Sequence, residues 1–317
     1  VRAVLAVVAL AGCAELGVVS DGTSISVGKP NHGYLIDAAR LPDKGIGYVT
    51  RKVWLDRDNR YGTDELVDLV TNVARRMHGR IKDVNVVVAD LSGKGGGGSF
   101  QFHRSHQSGR DADLLPYMRD ADGKPFEPDA MHKFDANGRA TDGTGITVDV
   151  PRTWVLVKEL LGAPEAPVQY IFMYEPLCQL LLDHAKKQGE PEAMIAKARK
   201  ALRQPGDSAR HDDHMHVRIY CAATDRAYGC VDIGPMDLLA EREAERAGQL
   251  ASVSAATAAP GDDTWRAQLD EAGVTGQAAA ATVSDGAGLA GLASRQLQTL
   301  GSRLRAGTDR TLLRGRR

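Results

Sequence analysis

Aromatic side chains make up only 5% of the 317 residues, which argues against the base-stacking platforms that hold single-stranded nucleic acid. Net charge is nearly absent too. Forty Lys and Arg face 41 Asp and Glu, so no global field draws the chain toward a polyanion, and nucleic acid is not an expected partner. The apolar run from Val1 to Cys13 is too short to cross a bilayer, which takes roughly 20 residues as a helix. Cysteine numbers four, too few for a scaffold built on disulfides. Gly93-Lys-Gly-Gly-Gly-Gly98 lacks the Gly-Lys-Ser/Thr ending of a phosphate-binding loop. It reads as a lip beside a site or as a plain flexible connection. What is present suffices for a real core: 43% of the residues are hydrophobic, at a length that fits one or two domains.

The first residues read as a targeting segment. Arg2 precedes an apolar stretch that ends in Leu10-Ala-Gly-Cys13, which resembles a bacterial lipobox. On this reading residues 1–13 are a signal peptide, Cys13 is lipidated, and residues 14–26 form a tether. The lipid anchor is then the only membrane contact of a periplasmic, cell-envelope protein. An exported chain can keep disulfides, and Cys221 and Cys230 flank a short turn-like stretch and are candidates to pair. Cys178 sits in an apolar run and reads as a buried free thiol.

Periodicity and capping signals organise residues 27–238 as one domain. Tyr48–Asp56 and Asp83–Asp90 read as strands. Thr63 reads as the N-cap of a helix from Asp64 to about Met77. Pro151 suits the first turn of a helix to about Leu161, and Pro176 opens another through Lys187 that stops at Gly189. Glu190–Gln204 reads as a third, charged helix, whereas Val168–Tyr174 and His214–Cys221 read as strands. Asp120–Gly145, rich in Asp and Gly, reads as a long surface loop. Helices and strands without a strict βαβ rhythm indicate α+β. Residues 239–317 change texture to Ala, Gly and Arg, with seven Arg against one Asp from Arg295 to Arg317. That segment reads as a weakly helical or disordered appendage.

The histidines carry the chemistry. Five of nine fall between His103 and His106 or between His211 and His216. His214 and His216 are two apart on a predicted strand, so both imidazoles face the same side. One can bind a metal while the other meets substrate. His106 and Asp113, with six residues between them across two turns, fit a loop that feeds a strand. Two imidazoles and one carboxylate leave a fourth position open, the layout of a catalytic zinc site rather than a structural one. Any one of these residues alone is more often a surface or core group; the clustering singles out His106, Asp113, His214 and His216.

Phe102-His-Arg-Ser-His-Gln-Ser-Gly-Arg-Asp-Ala-Asp113 and His211-Asp-Asp-His-Met-His-Val-Arg218 together resemble the penicillin-insensitive murein endopeptidases. These belong to the group of lysostaphin-like, D-Ala-D-Ala and hedgehog-type zinc sites. The resemblance includes Asn59-Arg-Tyr-Gly-Thr-Asp-Glu-Leu66 and covers roughly Val27 to Cys230. It implies a small antiparallel sheet that carries one Zn2+ and is flanked by helices. His106, Asp113 and His216 are the implied ligands. His214 is the implied catalytic histidine, with His211 assisting. His103, Asp213, Arg110 and Arg218 are accessory candidates in the cleft. The implied substrate is the peptidoglycan cross-bridge between D-alanine and meso-diaminopimelate. Leu114-Leu-Pro116 replaces an aromatic common in the family, the tail is longer, and cysteines are fewer. Two alternatives stay open. One is a D,D-carboxypeptidase or dipeptidase of the same zinc group, with Arg110 or Arg218 gripping a terminal carboxylate. The other is a non-catalytic, zinc-containing wall-binding lipoprotein.

Overall fold

The computed structural model describes residues 22–97, 103–206 and 208–258. The signal-peptide reading, Cys13 and the Arg-rich end of the chain lie outside the described residues. Among the described residues, no helix is long and apolar enough to cross a membrane.

The architecture is α+β. An N-terminal hairpin pairs β1 (Ile25–Lys29) with β2 (His32–Ile36). The central sheet contains β3 (Asp111–Leu114), β4 (Val168–Phe172), β5 (Leu202–Arg203) and β6 (Met215–Ile219), in the order β5-β4-β6-β3. β6 runs antiparallel to both neighbours. β5 is parallel to β4, so the sheet is not wholly antiparallel as expected. The reason lies in the connection: two helices stand between β4 and β5, and a long crossover is what a parallel pair needs.

Strand alternation explains what the sheet does. Ala112 and Leu114 of β3, and Met215, Val217 and Ile219 of β6, join the hydrophobic core. Asp111 and Asp113, and His216 and Arg218, therefore share the opposite face. The register sets His216 across from Asp113 and Arg218 across from Asp111.

Four helices pack against this core. α1 (Asp64–Arg80) starts where the Thr63 hydroxyl accepts the Leu66 N–H at 3.3 Å. It carries acids in its first turn and His78 and Arg80 in its last, complementing the helix dipole. Ser24 and Asp64 exchange backbone-to-side-chain hydrogen bonds of 2.9 and 2.7 Å, which fasten the segment just before β1 to this helix. α2 (Val150–Gly162) is capped by Asp149 and has Pro151 in its first turn. α3 (Glu175–Lys187) and α4 (Glu192–Ala201) form the crossover.

Three readings need correction. Only Tyr48–Val49 of the expected 48–56 strand pairs as a strand; Lys52–Leu55 makes a helical turn that buries Trp54. Of the 83–90 strand only Val86–Val87 joins a ladder. The 120–145 loop is flanked by a small sheet of Met118–Arg119 with Pro125–Phe126 and Thr147–Val148. Its turns are fixed where Asp120 and Asp135 each accept two backbone N–H groups. The compact unit runs to Gln249. α5 (Asp237–Ala258) buries Leu238 and Leu239 at its start. Its Arg242 donates to the carbonyls of Ala163, Pro164 and Ala166, just past the end of α2.

Candidate metal centre

The β3–β6 register brings Asp113 and His216 face to face, and a strained loop delivers the third group. His106 has φ +65°, a conformation rarely adopted by a residue with a side chain. Asp111 holds it there by accepting its backbone N–H at 3.0 Å. Its ring Nδ1 donates to the Leu91 carbonyl at 2.8 Å, which leaves the Nε2 lone pair free for the site. The turn into β3 uses Gly109 at φ +73°, where a Cβ would strike the Leu35 side chain at 2.7 Å.

His106 Nε2, His216 Nδ1 and Asp113 Oδ1 form a nearly equilateral triangle. Its edges are 3.2 Å between the imidazoles and 3.3 and 3.1 Å from Asp113 to His106 and His216. Ligand bonds of about 2.0–2.1 Å in a tetrahedral zinc site imply edges of roughly 3.3 Å. Both Asp113 oxygens are buried and accept no hydrogen bond. An unpartnered buried carboxylate is costly, and a cation at the triangle would satisfy it. The outer nitrogens are held as well: His216 Nε2 lies 3.1 Å from Asp111 Oδ1, and His106 Nδ1 is on Leu91. Metal-binding histidines are characteristically oriented in this way. The donor set therefore fits a divalent ion.

More groups surround the triangle. His214 Nε2 is 3.4 Å from Asp113 Oδ1, and its Nδ1 is 2.6 Å from Asp213 Oδ1. Burial alone would lower the His214 pKa, but Asp113 and Asp213 outweigh it and push it up to about 10. His211, also at positive φ, is moved the other way, down to about 4, by burial and by the neighbouring His216 and His214. Burial opposes ionisation of Asp111, yet Arg218 and His216 hold its carboxyl well below the usual range. On the opposite wall, His103 Nε2 is 2.9 Å from Asp90 Oδ2, an oxygen that also accepts from Arg57 at 2.7 Å. Two sets of metal-capable atoms thus converge: His103, His106 and Asp113, and His211, His214 and His216.

All these histidines, with Asp113 and Asp213, line one cleft of about 560 Å³. Arg110 and Arg218 do not line it. Arg110 is fully buried, where it donates to Ser26, Asp232 and the Val231 carbonyl and ties the hairpin to the segment just past the Cys221–Cys230 disulfide. Arg218 bonds Asp111 at 2.6 Å and lies over the Phe172 ring. Leu114 and Leu115 belong to the core rather than to a cleft wall. The described part of the glycine run is pinned by backbone bonds to Leu35 and Gln107 and does not border the cleft. Cys178 is a buried free thiol that donates to the Met173 carbonyl; burial pushes its pKa up to about 12.

Sequence reasoning passed over Asp90 and Asp111, which support the site from behind. Asp111 carried a signal, because an Asp-x-Asp on a strand puts both acids on one face. Asp90 closes a valine-rich stretch and nothing local marks it.

Comparison with known proteins agrees with this geometry. Residues 26–238 match the family model described as penicillin-insensitive murein endopeptidase. Relatives carrying that name include proteins from Klebsiella pneumoniae (27% identical, 64% of this chain and 68% of theirs) and Haemophilus influenzae (28% identical, 68% and 70%). A third, from Pectobacterium atrosepticum, is 29% identical over 64% of this chain and 66% of its own. The family match covers two thirds of the chain, with the whole central sheet and every residue of the cleft, and on that ground the chain belongs to the penicillin-insensitive murein endopeptidases and is an enzyme of that peptidase family.

Proposed function

We propose that the chain is a zinc endopeptidase that hydrolyses the D-alanyl–meso-diaminopimelyl bond of peptidoglycan cross-bridges, in the periplasm and tethered through Cys13. The observation that carries the zinc reading is the triangle of His106 Nε2, His216 Nδ1 and Asp113 Oδ1, with edges of 3.1–3.3 Å around a buried carboxylate that accepts no hydrogen bond. These three residues hold the ion. When bound, zinc polarises the scissile carbonyl and acidifies a water enough for attack at neutral pH.

The remaining steps belong to the protein. Held by Asp213 at 2.6 Å, His214 can donate a hydrogen bond to the oxygen that gains charge and pass its proton to the leaving amine. Neutral His211, whose ring centre is 4.9 Å from that of His214, can accept a proton from this side of the cleft. Asp90, clamped by Arg57, orients His103 against Asp113. Asp111 fixes His216 and the strained His106 at once.

The test is incubation with purified cross-linked muropeptide dimers, with products identified by mass spectrometry and zinc content measured on the same sample. Monomers from the wild type, and none from His216→Ala, are expected. Dimers shortened by one alanine would move the reading to a carboxypeptidase. Intact dimers with zinc bound would make the chain a non-catalytic wall binder.

A further inference from the structure

In the bond proposed above, the leaving amine stands on a carbon that also bears a free carboxylate. With the scissile carbonyl at the triangle, that anion enters the cleft just beyond the scissile nitrogen and loses part of its water. It needs a cation there. Neither arginine singled out from the sequence is available, since Arg110 and Arg218 are both engaged away from the cleft.

Among the described residues, three arginine or lysine side chains line the cleft: Arg57, Arg104 and Lys133. Arg57 is bound to Asp90, and Arg104 already has a partner. Lys133 is exposed, and no ion pair or hydrogen bond engages its ammonium among the described residues. Its backbone, in contrast, is fixed. The Lys133 carbonyl accepts both the N–H and the hydroxyl of Thr141, at 2.9 and 3.3 Å. The next residue, Phe134, is buried, and its N–H donates to the Asp212 carbonyl at 2.8 Å. That carbonyl belongs to the segment that carries His211, Asp213 and His214. An unpaired charge is thus mounted on the same backbone platform as the histidine that faces the reacting amide.

We infer that Lys133 binds the carboxylate adjacent to the scissile nitrogen and selects substrates that carry one; the inference rests on the endopeptidase reading. Lysine suits the task, because a mobile point charge can follow an anion whose position shifts as the amine departs.

The experiment compares zinc-loaded wild type, Lys133→Ala and Lys133→Arg on two substrates. One is a cross-linked dimer; the other is the same dimer with that carboxylate amidated. A charge-assisted contact predicts that Lys133→Ala raises KM on the first roughly ten- to a hundredfold, with kcat much less affected and zinc content unchanged. On the amidated dimer, wild type and Lys133→Ala should converge, and Lys133→Arg should recover most of the difference on the free acid. An equal loss on both substrates, or no loss on either, overturns the assignment while wild-type cleavage upholds the endopeptidase reading. Failure of the zinc-loaded wild type on both dimers overturns that reading and the lysine assignment with it.

Discussion

On one face of the β3–β6 ladder, Ala112, Leu114, Met215, Val217 and Ile219 sink into the core; on the other, one pleat away, Asp111, Asp113, His216 and Arg218 are almost as deeply buried. The backbone ladder is common to both faces, and so is the exclusion of water. The apolar face gains from every methylene independently, so its stabilisation is graded. The charged face works otherwise. Asp111 is tolerable because Arg218, His216 and the His106 N–H all point at it. Asp113 still lacks a hydrogen-bond donor. A buried polar network fails as a unit when one member goes. One strand thus supports a packing surface and an ion-binding surface, and alternation keeps them apart.

The strongest way to break the contrast is Asp111→Ala. It strands Arg218 and His216 without their buried partner, and removing one member of a buried ion pair costs about 3–5 kcal/mol. It also frees the ring of His216 and the backbone of His106, so zinc affinity should fall about 10- to 100-fold. Urea unfolding and competitive zinc titration check the two effects separately. Full zinc affinity in a folded Asp111→Ala protein would show that the second acid is not a support of the site.

Leu114→Ala sharpens the comparison from the other side. It alters the residue next to Asp113 on the same strand but faces the core. Loss of a buried leucine costs about 2–5 kcal/mol. In the protein that remains folded, zinc stoichiometry and affinity should match the wild type. A large drop in affinity would mean that the two faces are mechanically coupled.

Much of this division was legible in the sequence, for local reasons. His216 on a β-branched strand, Thr63 before an amphipathic run, and Pro151 and Pro176 at helix starts are short-range signals, and the structure repeats them, although the strand begins at Met215 and leaves His214 just before it. What escaped depends on partners distant along the chain. Arg110 sits inside the metal motif and looked like a cleft residue, yet it reaches 122 residues along the chain to Asp232. Asp90 matters only because Arg57 and His103 meet on it. The helical turn at Lys52–Leu55 hides in an alternating stretch because burial of Trp54 outweighs local strand propensity. The docking of Leu238, Leu239 and Arg242 on the domain is hidden in the same way, because these residues stand within an Ala- and Glu-rich run.

The smallest expected effect contrasts the buried ion pairs with a more solvated one. Arg76 on α1 forks onto Glu165 beyond α2, at 2.7 and 3.1 Å, and also meets Glu159. Burial would raise the Glu165 pKa, but Arg76 outweighs it and holds the carboxyl below its ordinary value. The folded state therefore binds this proton less tightly than the unfolded chain does. The stabilisation is complete above the unfolded value, about 4.3, and is lost as pH falls through the folded one. Because Arg76 is one-third exposed, screening keeps the contribution to about 1 kcal/mol or less. Glu165→Gln should lower stability slightly at pH 7, and the gap to wild type should narrow below about pH 4, as read from urea midpoints across pH. A gap that stayed constant through that range would show that the pair acts by packing and not by charge. The Arg76–Glu165 pair would then be no ionic counterpart to the network behind His216.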